Sequence, residues 1–133
     1  MWGLPFKKMV KSPAEIELIR ESSLLVGKTL AEVAKLIEPG VTTLQLDKIA
    51  EEFIRDNGGV PAFKGYSGFP NTLCVSPNEQ VVHGLPTDRP FQEGDVVSVD
   101  CGAILDGFYG DHAYTFEIGE VAPEVKKLLE VTK

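Results

Sequence analysis

The sequence predicts an α+β domain, and three observations carry that prediction. Two capped, amphipathic helical stretches open the chain. Glycine and aromatic residues then crowd into residues 60–120, where the pattern alternates as in strands. Within that region an Asp-Gly pair separates two alternating runs, a strong local signal for a β-hairpin.

Ser12-Pro13-Ala14-Glu15 reads as a capping box, with Ser12 at the N-cap, Pro13 at the first helical position and Glu15 reaching back. From there Ile16, Ile19, Ser23, Val26, Leu30, Val33 and Ile37 recur at steps of three and four, predicting one buried face, apolar except for Ser23. Pro39-Gly40 is expected to stop this helix. Thr42 to Gln45 repeats the box, and Leu46, Ile49, Ala50, Phe53 and Ile54 mark a second helix that ends at Asn57-Gly58-Gly59. The short gap between the helices predicts an αα-hairpin. Strands are expected at residues 71–75, 95–104 and 108–118, and a further helix from Ala122. Residues 1–133 are read as one domain without repeats or low-complexity segments.

Composition narrows the class. A 43% hydrophobic content over 133 residues suffices for a packed core. No apolar run is long enough to span a bilayer, and the start lacks a secretory signal pattern, so no membrane partner is expected. Two cysteines, Cys74 and Cys101, do not make a disulfide framework, which favours a reducing, cytoplasmic setting. A net charge of −7 argues against a nucleic-acid surface. The cluster of Lys7, Lys8 and Lys11 reads as solvated charge.

Two acids stand where strand residues should be apolar: Asp100 in VVSVDCGAI and Asp111 in FYGDHAYTF. If Asp106-Gly107 is a two-residue turn, Leu105 pairs with Phe108, Ala103 with Gly110, Gly102 with Asp111 and Asp100 with Ala113. Alternation then places Asp100, Gly102, Asp111 and Ala113 on one face, the carboxylates being diagonal neighbours with Cβ atoms about 7 Å apart. A three-residue loop would put them on opposite faces. Two carboxylates this close repel unless something offsets the charge. A shared proton as in aspartic proteases, a glycosidase acid pair, edge-strand solubility and divalent cations are the candidates. The two opening helices argue against an all-β aspartic protease, and nothing further supports a glycosidase. Cations are the preferred reading.

GDVVSVDCGAILDGFYGDHAYTF resembles the first metal-binding hairpin of type I methionine aminopeptidases, metallopeptidases of the pita-bread, or creatinase-like, fold. PAFKGYSGFPNTLCVSPNEQVVHGLP, residues 61–86, resembles their substrate-pocket segment, and the likeness runs from about residue 12 onward. It implies the first half of a two-half fold and metal-dependent hydrolytic removal of the initiator methionine from nascent proteins. Asp100 and Asp111 would be metal ligands for two divalent ions (Mn, Fe, Co or Zn). His83 would be catalytic, touching the scissile peptide, and Tyr66, Phe69 and Cys74 would line the methionine pocket. A thioether suits such a soft, aromatic slot.

The family's remaining ligands, a histidine and two glutamates, belong to a second half that has no counterpart in these residues. The chain alone is therefore expected to be incomplete, to bind metal weakly or not at all, and to be inactive. His112 stands where many relatives carry Thr, and Phe63 and Ser67 stand where some carry Cys and His. The implied partner is a peptide or nascent chain beginning with Met, encountered near the ribosome. A homodimer in which a second copy replaces the missing half is a further expectation. The rival readings are another pita-bread enzyme, such as an Xaa-Pro aminopeptidase, and a non-enzymatic binding module on the same fold.

Overall fold

The computed structural model describes residues 9–133, so Lys7 and Lys8 of the basic cluster lie outside the described residues. In chain order the elements are α1 (Pro13–Ala34), α2 (Thr43–Asp56), β1 (Val60–Pro61), a 3-10 turn (Tyr66–Gly68), β2 (Leu73–Pro77), β3 (Val96–Leu105), β4 (Phe108–Glu117) and α3 (Pro123–Val131). No helix among the described residues is long and apolar enough to cross a membrane.

Both capping boxes form. The Ser12 hydroxyl accepts from the Glu15 amide at 3.2 Å, and the Ser12 amide donates to the Glu15 carboxylate at 2.7 Å. Thr42 and Gln45 make the same reciprocal pair at 3.2 and 2.8 Å. Each box satisfies two otherwise orphaned donors, a contribution of about 1 kcal/mol.

The buried face of α1 keeps Val26, Leu30 and Val33 of the expected stripe but turns away from Ile16 and Ser23. Ser22, Leu25, Val26, Thr29, Leu30 and Val33 are buried, whereas Ser23 is exposed and Ile16 is 47% exposed. Two hydroxyls explain the rotation. Ser22 donates to the Ala103 carbonyl at 2.9 Å and Thr29 to the Leu25 carbonyl at 2.8 Å, so both small side chains are buried with their polar atoms satisfied. The helix also ends at Ala34, before Ile37. There the Leu36 amide turns back to the Val33 carbonyl at 3.0 Å, tightening the last turn.

All four strands join one antiparallel sheet with β3 at its centre. β4 lies along one side of β3. β2 and the two-residue β1 share the other, β2 opposite Val97–Cys101 and β1 opposite Ala103 and Ile104. β1 was not expected, because a two-residue edge containing Pro61 has no alternation to read. β2 begins at Leu73 rather than residue 71, since the preceding polar groups turn to α2 instead of the ladder.

The β3–β4 register is the expected one: Leu105 opposite Phe108, Ala103 opposite Gly110, Gly102 opposite Asp111 and Asp100 opposite Ala113. Asp106 (φ 50°) and Gly107 (φ 80°) form the turn, both in the left-handed region that matches strand twist. Val97, Val99, Cys101 and Ala103 of β3 point into the core with Val26, Val33, Leu46, Ile54, Leu73 and Val75, all fully buried. α1 and α2 cover that face. Asp100 and Asp111 are on the other.

Two glycines in the hairpin should respond differently to substitution. Gly107→Ala adds only the left-handed backbone penalty, about 1 kcal/mol. Gly110→Ala forces a methyl against the Ser22 backbone of α1, an overpacking loss of about 2–3 kcal/mol. Urea unfolding of the two variants measures this, and equal small losses would contradict the close α1–β4 packing.

Candidate active site

β3 and β4 bring the two aspartates together. Asp100 is half-buried and Asp111 is exposed. The Oδ1 atom of Asp100 is buried with no hydrogen-bond partner. Burial first, then a hydrogen bond shared with Asp111 and the charge of that group, raise the Asp100 pKa to about 6 against the opposing effect of His83. An orphaned carboxylate oxygen beside a second carboxylate is the environment that a cation relieves, so the donor set fits a hard or borderline divalent metal.

The carboxylates open into a cavity of about 590 Å³ lined by Phe63, Tyr66, Ser67, Gly68, Phe69, Pro70, Cys74, His83, Asp100 and Asp111. All six residues singled out from the sequence therefore surround one cavity. Cys74 reaches it from β2, directly opposite Asp100 across the ladder. Its thiol is pushed up to about 11, by burial first and then by the charges of Asp100, Asp111 and Asp47. At neutral pH the wall it forms is uncharged.

The aromatic wall comes from residues 62–70. The Ala62 amide donates to the Gly102 carbonyl at 2.9 Å, fastening the segment to β3. Gly65, Ser67 and Gly68 (φ 88°, 48° and 80°) then turn it back, and the Gly65 amide closes on the Phe69 carbonyl at 2.7 Å. Phe63 lies against Gly102, where a Cβ would meet its ring at 2.6 Å. Gly102 thus makes room for the ring beside the carboxylates. Phe69 is half-buried, and Tyr66 is 76% exposed.

His83 is an exposed residue with φ 59°, a left-handed conformation unusual outside glycine. Its neighbour explains how it is held. Gly84 lies flat against β2, its amide on the Ser76 hydroxyl at 3.0 Å and its carbonyl receiving the Val75 amide at 2.9 Å. Any side chain at Gly84 would collide with the Val75 carbonyl. His83 is thereby fixed at the cavity's edge.

Three contributors were not singled out from the sequence. Asp47, on α2, is buried and accepts from the Thr72 and Leu73 amides and from Asn71. Gly84 and the Phe63–Gly102 contact depend on neighbours distant in sequence; only the glycines themselves signalled close approach. His112 and Glu117 border a separate groove beside α3 and stay out of this cavity. Although His83 and Cys74 share the cavity with the aspartates, no group of three or more His, Cys, Asp or Glu among the described residues is placed to hold a metal.

Asp100 should leave a signature in the stability of the chelator-treated protein. Its carboxyl ionises near 6 when folded and near the ordinary aspartate value of 3.8 when unfolded, so the folded state binds more protons between those values. Stability therefore falls as pH rises through that window. Asp100→Asn should remove this fall and make the variant more stable than the parent at neutral pH, as read from urea midpoints. Identical pH slopes in parent and variant would contradict the placement of Asp100.

Residues 17–133 match the family described as metallopeptidase family M24. The chain is 51% identical to a methionine aminopeptidase of Clostridium acetobutylicum over 126 residues, covering 94% of this chain and 50% of that protein. A methionine aminopeptidase of Borreliella burgdorferi is 52% identical, with 95% and 50% covered. The crystal structure of methionine aminopeptidase from Thermotoga maritima superposes with a TM-score of 0.90 at 44% identity, over 92% of this chain and 50% of that one. A prolidase from Pyrococcus furiosus shares the fold, with a TM-score of 0.83 at 21% identity over 95% of this chain and 36% of that one. The chain spans about half the length of the curated relatives it matches. Its α+β architecture is that of the N-terminal half of the pita-bread fold, and the chain belongs to metallopeptidase family M24.

Proposed function

We propose that this chain supplies the methionine pocket and two metal ligands of a methionine aminopeptidase acting on nascent-protein N-termini. The observation that supports this reading most is the orphaned Oδ1 of Asp100, beside Asp111, at the floor of a cavity walled by aromatic rings and a thiol. Asp100 and Asp111 would hold a divalent ion, and oxygen donors suit Mn, Fe, Co or Zn without choosing among them. Such an ion, when bound, supplies Lewis-acid polarisation of a carbonyl and activation of water at neutral pH.

The remaining steps fall to the chain's own side chains. Phe63, Tyr66, Phe69 and Pro70 take the substrate's first side chain out of water, and the protonated Cys74 thiol gives that slot a soft, neutral wall. His83, at the edge, is the group that would donate a hydrogen bond to the reacting carbonyl or the leaving amide. The proposed substrate implies work in the cytoplasm, close to the ribosome. A proline-specific reading has less support, because the relatives at about half identity are named methionine aminopeptidases, whereas an X-Pro aminopeptidase of Thermotoga maritima stands at 26%.

Two carboxylates without a third clustered ligand make a weak site. The 133-residue chain should bind Mn²⁺ weakly in calorimetry, while paramagnetic broadening in NMR is confined to amides around Asp100 and Asp111 and is lost in Asp111→Asn. It should release no methionine from Met-Ala-Ser by itself. Tight stoichiometric binding, broadening elsewhere, or turnover by this chain alone would contradict the reading. In a form carrying both halves of the fold, Asp111→Asn should depress kcat more than it raises KM, and Phe69→Ala should do the reverse. Cleavage of Met-Ala-Ser in preference to an Xaa-Pro peptide tests the substrate class, and matching kinetic profiles for the two variants would refute the assigned roles.

A further inference from the structure

We propose that Asp47 and Glu51, one turn apart on α2, are positioning residues that set the spacing between the two walls of the cavity. This deepens the methionine-pocket reading and rests on it for the ligand, though not for the geometry.

Residues four apart on a helix share a face, and here each acid of the pair holds a different wall. Asp47 is only 7% exposed. Its Oδ1 accepts from the amides of Thr72 at 2.9 Å and Leu73 at 2.8 Å, and its Oδ2 accepts from Asn71 Nδ2 at 2.9 Å. These donors occupy three consecutive residues leading into β2, so Asp47 determines where the strand enters the sheet. Cys74 follows immediately, opposite Asp100.

Glu51 accepts from Thr72 Oγ1 at 3.2 Å and from Lys64 Nζ at 2.8 Å. Lys64 follows Phe63 and precedes Tyr66, inside the segment that forms the aromatic wall. That segment has little packing of its own, since its 3-10 turn buries no residue and the stretch from Gly65 to Gly68 contains three left-handed backbone positions. The Lys64–Glu51 pair gives it a side-chain tie to the helix. Arg55 also contacts Glu51 at 3.0 Å, steadying the carboxylate from the same helix. Glu51 is held below the usual carboxylate range, chiefly by the Lys64 hydrogen bond and despite partial burial, so it is charged at neutral pH.

Lys64 is 43% exposed, so breaking the pair should alter the loop's closed population by about threefold, within the range for exposed ion pairs. The test uses Lys64→Met, which keeps the stem and removes the charge, and Lys64→Arg, which restores it. Hydrogen exchange of the Gly65 and Phe69 amides and the dissociation constant of L-methioninamide are read for each. Lys64→Met should accelerate exchange at those amides and weaken methioninamide by about threefold, with thermal stability unchanged, and Lys64→Arg should reverse both effects. In Asp47→Asn, exchange should instead quicken at the Thr72 and Leu73 amides, because one acceptor oxygen becomes a donor facing Asn71. Unchanged exchange at Gly65 and Phe69 in Lys64→Met, or no recovery in Lys64→Arg, overturns the proposal even if Asp47→Asn fails to fold. If the parent does not bind methioninamide, the methionine reading falls, while the exchange measurements still decide the positioning claim.

Discussion

Because side chains alternate along a strand, the two left-handed residues Asp106 and Gly107 decide which face of the sheet each aspartate occupies. One more residue in the turn would move Asp111 to the helix-covered side and leave His112 beside Asp100. The constraint reaches further than the carboxylates. The same register sets Gly110 opposite Ala103, where α1 comes close enough for Ser22 to donate to the Ala103 carbonyl. It also sets Gly102 opposite Asp111, leaving space for the Phe63 ring. A turn error would therefore disturb the core, the pocket and the paired acids together.

The central position of β3 follows from the same economy of faces. Its core side carries Val97, Val99, Cys101 and Ala103, all fully buried under the helices. Its other side carries Ser98, Asp100 and Gly102, small or polar residues that leave room for something else to occupy the surface. β2 and β1 together pair with the edge of β3 away from β4, so the residues between them must leave the sheet and return. That excursion, residues 62–72, is the aromatic wall. The pocket thus arises from connectivity: a chain that leaves one end of β3 and rejoins it further along has to arch over the face that holds the acids.

Much of this was legible in the sequence because the relevant signals are local. Capping boxes at Ser12 and Thr42 involve residues three apart, and the Asp-Gly turn fixes the hairpin register by counting outward. The paired acids, and hence a candidate metal site, followed from that count. What escaped was whatever depends on a distant partner. Ser22 looks like an exposed residue until the Ala103 carbonyl is brought to it. Asp47 looks like the wet side of α2 until Asn71, Thr72 and Leu73 present their donors. The expected stripe through Ile16 and Ser23 failed because periodicity scores apolarity and cannot see a buried hydroxyl with a partner. His83 was noticed for its motif, but its left-handed backbone and the clamp on Gly84 belong to β2, not to its own segment.

Three aspartates show how the same side chain acquires different work from its surroundings. Asp95 is buried, which raises its pKa, yet hydrogen bonds from Asn78 and the Gln92 amide and the nearby Arg89 outweigh this and hold it below the usual range. Asp47 likewise meets donors at both oxygens. Both are satisfied by the fold, and their charge joins one element to another. Asp100 has burial without those donors: one oxygen is orphaned, and its near neighbour is a second carboxylate. Within a protein whose other buried acids are so fully paired, that omission is hard to assign to structure, since an isosteric neutral side chain would fold at less electrostatic cost. The fold surrounds this carboxylate with a cavity instead of hydrogen-bond donors, and on that omission the proposed metal site rests.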